Sequence, residues 1–338
     1  MNKHTITGLD IAKQVFHLIR LDRSGKEVQR KKLRRSQVLR YFAQQPVGHI
    51  VMEACASSHY WARELQVLGH TVELLPPQHI KGYVRGQKND YNDARAIAEA
   101  SLHSSMRPVA VKTVAQQDEQ AIHRCRHRLV GERTALCNQL RGLLGEYGVV
   151  MPRGVASVRR RIVGILDSDA VTPLMKTVLQ RQYRRLLALD EELAWYDALL
   201  KQQVREDPVC QRLCALPGFG PVVSTAFKCW LGDGRQFRRG RDASAALGVV
   251  PRQHTSGDKP RLLGITKRGD SYVRTLVIHG ARAVVRAAAH KDDALSQWIN
   301  RLVATRGFNK AAVALANKLI RIGWVVVSRG ETYRPRPV

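Results

Sequence analysis

The sequence is short of acidic residues, and this scarcity is its most informative feature. Its 338 residues contain 28 Asp and Glu against 56 Lys and Arg, which leaves a formal net charge of +28. Such an excess repels itself and favours binding to a polyanion. The imbalance is greatest in residues 231–338, which contain 21 basic and 7 acidic side chains. The composition therefore predicts a nucleic-acid-binding protein.

Other scarcities exclude further classes of protein. Aromatic residues make up 6% of the chain, which argues against single-strand binding by base stacking as the main mode. Six cysteines, none in a CxxC pair, fit a reducing cytosol better than a disulfide framework. The sequence contains no run of about 18 apolar residues, so no membrane span is predicted. Residues 1–13 lack the apolar stretch of a signal peptide. We therefore expect a soluble cytoplasmic protein that does not contact a membrane.

The first hundred residues alternate between strand and helix patterns, with hydrophobic periods near two and near 3.6 residues. The predicted strands are residues 5–11, 15–19, 27–33, 49–52 and 71–75, and the predicted helices are residues 37–45 and 58–68. Three early strands followed by alternating helix and strand predict a mixed sheet with helices packed on it.

The middle of the chain is predicted to be helical. Apolar residues recur there at steps of three and four, at Ile122, Cys125, Leu129, Leu136, Leu140 and Leu143, and again at Leu186, Leu189, Leu193, Tyr196 and Leu200. The pattern fits either a coiled-coil seam between protomers or a helical hairpin within one chain. From residue 208 onward, short helices joined by glycine-rich turns are predicted, with a polar, basic loop over residues 252–269.

Four carboxylates occupy positions from which they could converge. Asp10 ends a predicted strand, and Glu53 directly follows the apolar run 50–52. Asp90 and Asp93 lie three residues apart at the start of a predicted helix, so they project from one face. Oxygen ligands of this kind suit Mg²⁺ or Mn²⁺. The alternative is structural, with Asp90 capping the helix and Asp10 bonding to a turn.

A glycine-rich turn and a basic segment are the other candidate sites. Residues 216–220 (LPGFG) are similar to the hairpin of a helix-hairpin-helix element, in which glycines let backbone N–H groups approach a phosphate; a plain turn is the alternative. In the basic segment, Ser256 beside Gly257 could act as a nucleophile. Ser244 and Ser271, outside this segment, compete with it on composition alone. His123 and His127, four apart, lack a third metal ligand and are predicted to lie on a helix surface. The predicted nucleic-acid contacts are Gly218, Gly220, Arg252, Lys259, Arg261, Lys267 and Arg268.

An ordered set of motifs resembles one known family. The segments GLDIAK (8–13), MEAC (52–55) and NDYNDA (89–94) are followed by LPGFG (216–220), ALGVVPRQ (246–253) and residues 256–270. This order is similar to that of insertion-sequence transposases with a DEDD RuvC-like domain and a C-terminal serine domain, also called bridge-RNA-guided recombinases. The resemblance covers residues 1–328. It departs locally at residues 55–58, where many members have Thr-Gly after Glu-Ala.

The resemblance implies a fold and a set of catalytic residues. It implies an α/β RNase H-like (RuvC-like) domain over residues 1–108, a helical, coiled-coil-like region over 109–207 and a mainly α serine transposase domain over 208–330. It further implies that Asp10, Glu53, Asp90 and Asp93 bind the metal and that Ser256 is the nucleophile.

The implied function is that of an RNA-guided DNA recombinase that moves an insertion sequence. Its cofactors would be Mg²⁺ or Mn²⁺ and a guide (bridge) RNA, and its substrates donor and target DNA. The enzyme would use a phosphoserine intermediate and need no ATP. It would act as a homodimer or homotetramer, with a composite active site across protomers, in the bacterial cytoplasm at the nucleoid. The alternatives are a metal-dependent nuclease or junction resolvase without a covalent intermediate, and a non-catalytic nucleic-acid-binding protein.

Overall fold

The computed structural model describes residues 5–87, 89–103, 106–257 and 259–335. Within it the chain divides into two compact units, residues 1–114 and residues 115–338. The first unit combines a sheet with helices, and the second is mostly helical. The mixed α/β N-terminal region and the mostly helical C-terminal part agree with the prediction from sequence.

The N-terminal unit contains a five-stranded sheet, made of β1 (Ile6–Ile11), β2 (Val15–Leu21), β3 (Glu27–Arg34), β4 (His49–Glu53) and β5 (Thr71–Leu75). The strand order is β3-β2-β1-β4-β5. The first three strands form an antiparallel meander, whereas β4 runs parallel to β1 and β5 parallel to β4. All five predicted strands are present, with boundaries close to those expected.

Helices cover both faces of this sheet; they are α1 (Val38–Ala43), α2 (Ser58–Val67), α3 (Pro77–Ile80) and α4 (Asp90–Ser101). On one face, α1 and α2 pack Phe42, Trp61 and Leu65 against the sheet. On the other face, α4 packs small residues, among them Ala94 and Ala98, against the sheet. The buried strands are consequently apolar on both sides, which explains their nearly continuous hydrophobic runs.

The C-terminal unit contains nine helices and one β-hairpin among the described residues. The helices are α5 (Val114–Gly145), α6 (Val155–Asp167), α7 (Pro173–Glu206), α8 (Pro208–Cys214), α9 (Pro221–Leu231), α10 (Gly240–Ala246), α11 (Ser271–Ala288), α12 (Ala294–Arg306) and α13 (Phe308–Arg329). The prediction of a loop over residues 252–269 is wrong, because β6 (Pro251–Ser256) and β7 (Lys259–Ile265) pair there. Most described side chains of these strands are exposed, so no alternating apolar pattern marks them in the sequence.

Helices α5 and α7 run antiparallel within the chain. Arg126 of α5 donates a hydrogen bond to Asp197 of α7 at 2.7 Å, and Arg133 donates one to Asp190 at 3.0 Å. Residue numbers therefore increase along α5 in the direction in which they decrease along α7. The leucines that carry the α7 repeat are buried in the chain, at Leu186, Leu189, Leu193 and Leu200. Leu186 and Leu189 share one core with Leu136 and Leu140 of α5, as expected of the intrachain hairpin, one of the two alternatives from sequence.

One helix in the described part of the chain, α13, is long and apolar enough to cross a membrane by length and composition alone. Half of its most apolar stretch is buried inside the fold. Leu315, Leu319 and Ile320 of this helix belong to the main core of the C-terminal unit, together with Phe227 and Val277. Packing in that core accounts for the apolar character of α13.

Candidate functional site

The sheet brings two of the four predicted acids to one edge. Asp10 is the fifth of six residues in β1, and Glu53 is the last residue of β4. These strands are parallel neighbours, with Leu9 beside Met52 in the ladder. Because the carboxyl ends of parallel strands meet at the same edge, both carboxylates lie there.

The first turn of α4 supplies the other two acids. Asn89 caps this helix, since its side chain accepts a hydrogen bond from the backbone N–H of Tyr91 at 2.9 Å. The alternative in which Asp90 is merely the cap is therefore wrong. Asp90 and Asp93 stand in the first turn without a capping role, where the positive end of the helix dipole favours negative charge.

Gly8 makes the close approach of α4 to β1 possible. A Cβ atom at Gly8 would lie 2.0 Å from the carbonyl oxygen of Ala94 and 2.9 Å from the Cβ of Ala98. No side chain fits at that distance, so the helix rests directly on the strand backbone. This contact sets how far Asp93 lies from Asp10, two residues beyond Gly8 in the same strand.

The charges of neighbouring acids raise the pKa values of Asp10 and Glu53. Burial, followed by the negative charges of Asp93, Asp90 and Glu53, raises the pKa of Asp10 from 3.8 to about 6. Burial and the negative charge of Asp93 likewise raise the pKa of Glu53. The positive charge of Lys81 lowers the same pKa by a smaller amount. Like charges gathered in a half-buried place are destabilising by themselves. A divalent cation bound among them would offset this repulsion.

His17, which the sequence analysis missed, joins two of the four acids, Asp10 and Asp90. His17 of β2 stands directly opposite Asp10 in the antiparallel ladder. The possible ligand atoms of Asp10, His17 and Asp90 all lie within 4.8 Å of one another. The alternation of β1 and β2 across their short turn could have revealed His17, because it pairs these positions on one face. Carboxylate and imidazole donors together fit a divalent metal ion.

The glycine-rich turn has a packing role at its first candidate. Gly218 has a φ of +80°, and a Cβ there would lie 2.6 Å from the carbonyl oxygen of Gly280 in α11. The absence of a side chain at both glycines therefore lets the turn lie against that helix. Gly220 precedes α9, and a Cβ there would meet nothing within 4 Å. Of the two glycines, only Gly220 faces space that another molecule could enter.

The β6–β7 hairpin holds the predicted nucleophile. Ser256 ends β6, and its ladder partner Lys259 begins β7. The turn between them contains Gly257, whose φ of +53° suits glycine. The side chains of Ser256 and Lys259, and all of Asp258, lie outside the described residues. Ser256 and the four acids thus belong to different units of the chain.

The predicted basic contacts are exposed, namely Arg252, Arg261, Lys267 and Arg268. The backbone of Arg268 is held in place, because its carbonyl oxygen accepts a hydrogen bond from Arg274 at 2.6 Å. A Cβ on Gly248 would lie 2.4 Å from both the N and O atoms of Arg268, so this segment packs closely on the end of α10. Exposed cations on a fixed backbone are suited to contacting phosphates.

Two competing serines differ in accessibility. Ser244 is fully buried and donates a hydrogen bond to the carbonyl oxygen of Asn317, so it is not available for attack. Ser271 is exposed at the start of α11.

The prediction that His123 lies on a helix surface is wrong. His123 is buried against Tyr272, with Nδ1 3.2 Å from the phenol oxygen. Burial and the charge of Arg126 lower the pKa of His123 to about 4.

Comparison with known proteins places nearly the whole chain among transposases. Residues 7–149 match the model of the IS110 DEDD transposase, and residues 210–296 match that of the IS116/IS110/IS902 transposase family. The chain is 48% identical over 331 residues to a probable family 20 transposase of Pseudomonas aeruginosa, covering 97% of this chain and 98% of that protein.

Other relatives have a similar extent. The identity is 47% to the transposase for insertion sequence element IS1111A of Coxiella burnetii, over 97% of this chain and 91% of the relative. The identity is 36% to the transposase for insertion sequence element IS1328 of Yersinia enterocolitica, over 97% of this chain and 98% of the relative. On these matches the chain belongs to the IS110/IS116/IS902 family of transposases, enzymes that act on DNA.

Proposed function

We propose that this transposase is an RNA-guided DNA recombinase that moves its insertion sequence through a phosphoserine intermediate. The observation that carries the catalytic part of the proposal is structural: the ends of two neighbouring parallel strands hold Asp10 and Glu53, and the first turn of α4 holds Asp90 and Asp93, whose charges raise the pKa of Asp10. Four carboxylates brought together from two strands and a helix raise the free energy of the fold, so a functional role explains their presence better than a structural one.

The N-terminal unit supports an RNase H-like, RuvC-like assignment for residues 1–108. An antiparallel meander of β3, β2 and β1, extended by the parallel strands β4 and β5, is the sheet that the family resemblance implies. We assign residues 109–207 to a helical, coiled-coil-like region and residues 208–330 to the serine transposase domain. The long helices α5 and α7 support the assignment of residues 109–207 to a helical region.

The proposed chemistry begins at the hydroxyl of Ser256. Its oxygen attacks the phosphorus of a DNA phosphodiester and a new P–O bond forms. The bond to the 3′ oxygen breaks, the serine proton is released to solvent or a nearby base, and the leaving oxygen takes up a proton as the free 3′-hydroxyl. That hydroxyl later attacks the phosphoserine of the exchanged strand. One ester bond is exchanged for another at each step, so no ATP is needed.

The four acids would hold Mg²⁺ or Mn²⁺ at the sheet edge. When bound, such an ion supplies Lewis-acid stabilisation of the charge that develops on phosphate oxygens. The residues of the chain hold and orient the carboxylates: Gly8 sets the helix-to-strand distance, Asn89 caps α4, and Lys81 offsets part of the charge on Glu53. The proposed chemistry requires Ser256 to meet these acids in the assembled complex, within one chain or across a homodimer or homotetramer.

The charge of the chain supports two nucleic-acid partners. A formal net charge of +28 exceeds what a single short DNA contact would use, and the exposed residues Arg252, Arg261, Lys267 and Arg268 add a basic surface in the C-terminal unit. We propose that donor and target DNA and a non-coding guide RNA share this positive charge.

The test is a covalent-trapping experiment on the full-length protein. The protein is purified from its host, the accompanying RNA is sequenced, and the complex is incubated with a nicked suicide DNA and Mg²⁺. We expect a denaturant-resistant protein–DNA adduct whose peptide maps to Ser256. Ser256→Ala should abolish the adduct while RNA binding persists, whereas the exposed control Ser271→Ala should form it normally.

The other functions give different results in the same experiment. If Ser256→Ala still cleaves DNA and no adduct forms, water is the nucleophile and the enzyme is a metal-dependent nuclease. If Asp10→Asn leaves cleavage and adduct formation unchanged, or if full activity persists in EDTA, the acids hold no catalytic metal. A wild-type protein that binds RNA and DNA without cleaving either is a non-catalytic binding protein.

A further inference from the structure

His17 is a buried histidine whose ring points into the acid cluster. Its side chain is only 9% exposed, and Nδ1 lies 3.4 Å from Oδ2 of Asp90. Among the described residues nothing hydrogen-bonds to this nitrogen, although no solvent reaches it. A buried polar atom without a partner is unfavourable, so its position calls for a ligand.

The backbone and one aromatic contact determine where the imidazole lies. His17 is the cross-strand partner of Asp10, which brings their Cβ atoms to roughly 5 Å on the same face of the sheet. Tyr91, next to Asp90 on α4, packs edge-on against the imidazole, with ring centres 4.7 Å apart and an angle of 78°. Arg30 covers the Tyr91 ring at 4.9 Å. The imidazole is therefore oriented by its neighbours before any ion binds.

The spacing of the polar atoms suits a shared cation. The candidate atoms of Asp10, His17 and Asp90 lie within 4.8 Å of one another. Ligand atoms around an ion with bonds near 2.1 Å are separated by roughly 3 to 4 Å, so small side-chain rotations suffice. The separation of Nδ1 from the Asp90 carboxylate already falls in that range.

We propose that Nδ1 of His17 is a ligand of the divalent ion held by Asp10 and Asp90, which makes the centre a mixed nitrogen–oxygen site. The inference rests on the proposed function, since it deepens the assignment of the metal centre. Imidazole favours first-row transition ions, whereas sites made of carboxylate and water suit Mg²⁺. The centre consequently binds Mn²⁺ more tightly than Mg²⁺, and His17 is responsible for much of the difference.

The test measures metal binding directly rather than activity. The full-length protein is titrated with Mn²⁺, read from the electron paramagnetic resonance signal of the free ion, and then with Mg²⁺ in competition. His17→Gln keeps a polar group near the far nitrogen and removes the proposed ligand atom. We expect it to weaken Mn²⁺ binding at least about tenfold, with a smaller effect on Mg²⁺. Pulsed resonance of bound Mn²⁺ should show coupling to a nitrogen nucleus that disappears in His17→Gln.

Three controls make the outcomes distinguishable. His49→Gln changes a histidine at the start of β4 that pairs with Glu73, and it should bind both ions as the wild type does. His17→Asn places an amide near the position of Nδ1; it should retain Mg²⁺ binding but bind Mn²⁺ more weakly than the wild type, and so lose the preference for Mn²⁺. Asp10→Asn should weaken binding of both ions. Circular dichroism in EDTA confirms that each variant is folded, and His17→Asn serves if His17→Gln is not.

Two results would overturn different claims. If Asp10→Asn loses the metal but His17→Gln keeps wild-type affinities and nitrogen coupling, His17 only packs beside Asp90 and this inference fails, while the proposed function stands. If the wild type itself binds neither ion at the acids, the metal centre of the proposed function fails as well.

Discussion

Replacing Gly8 by alanine tests whether contact between β1 and α4 positions the acids. The added Cβ would lie 2.0 Å from the carbonyl oxygen of Ala94, whereas real Cβ contacts essentially never fall below 3.0 Å. Strand and helix must therefore separate by about 1 Å, because the obstructing atom is backbone and cannot rotate away. Asp93 moves with the helix, and Asp10 stays with the strand.

The expected losses follow from that displacement. Overpacking a well-filled contact costs about 1–3 kcal/mol of stability. A misplacement of about 1 Å at a catalytic centre can lower the rate roughly 10²-fold. We therefore expect Gly8→Ala to remain folded with a lower melting temperature and to lose far more cleavage activity than that loss of stability explains.

The assay compares thermal unfolding with the rate of strand cleavage, measured well below the melting temperature. Gly131→Ala is the matched control, because a Cβ at this position in α5 would meet nothing within 4 Å. It should keep full activity and gain up to about 1 kcal/mol, as alanine favours a helix more than glycine does. Wild-type cleavage by Gly8→Ala would refute the reasoning that this contact sets the geometry of the acids.

Three further predictions concern stability and binding. In EDTA at pH 7, Asp10→Asn should melt at a higher temperature than the wild type. The pKa of Asp10 is about 6 in the folded state, above the usual 3.8, so the stability that protonated Asp10 contributes at low pH is lost as the pH rises through 6. Equal melting temperatures at pH 7 would contradict this. Gly280→Ala should destabilise the fold by about 1–3 kcal/mol, because its Cβ would lie 2.1 Å from the carbonyl oxygen of Gly218. Gly220→Val should cost no more than about 1 kcal/mol of stability and should weaken DNA binding equally for all sequences. An effect confined to one target base would exclude a role in contacting the DNA backbone. The logarithm of DNA affinity should fall linearly with the logarithm of salt concentration, and a flat response in filter binding would point to an apolar or protein partner.

Local sequence patterns were sufficient to predict most of the N-terminal unit. The apolar run at residues 49–52 became β4 (His49–Glu53), because a strand buried on both faces needs continuous hydrophobic residues. The helix predicted to start at Asp90 does start there, although its cap is Asn89. The β6–β7 hairpin was missed because its exposed, basic strands have no apolar face for a pattern to reveal.

The sequence by itself determined which acids could converge and which family the motifs indicate, because strand ends, helix starts and motif order are local properties. Only the tertiary structure decided that Asp90 joins Asp10 and His17, since that depends on where α4 packs on the sheet. It also decided why Gly8 and Gly218 are glycines, as each is matched to a backbone atom of a distant segment. Contacts between residues far apart in sequence leave no periodic signal, so physical proximity in the folded chain is needed to find them.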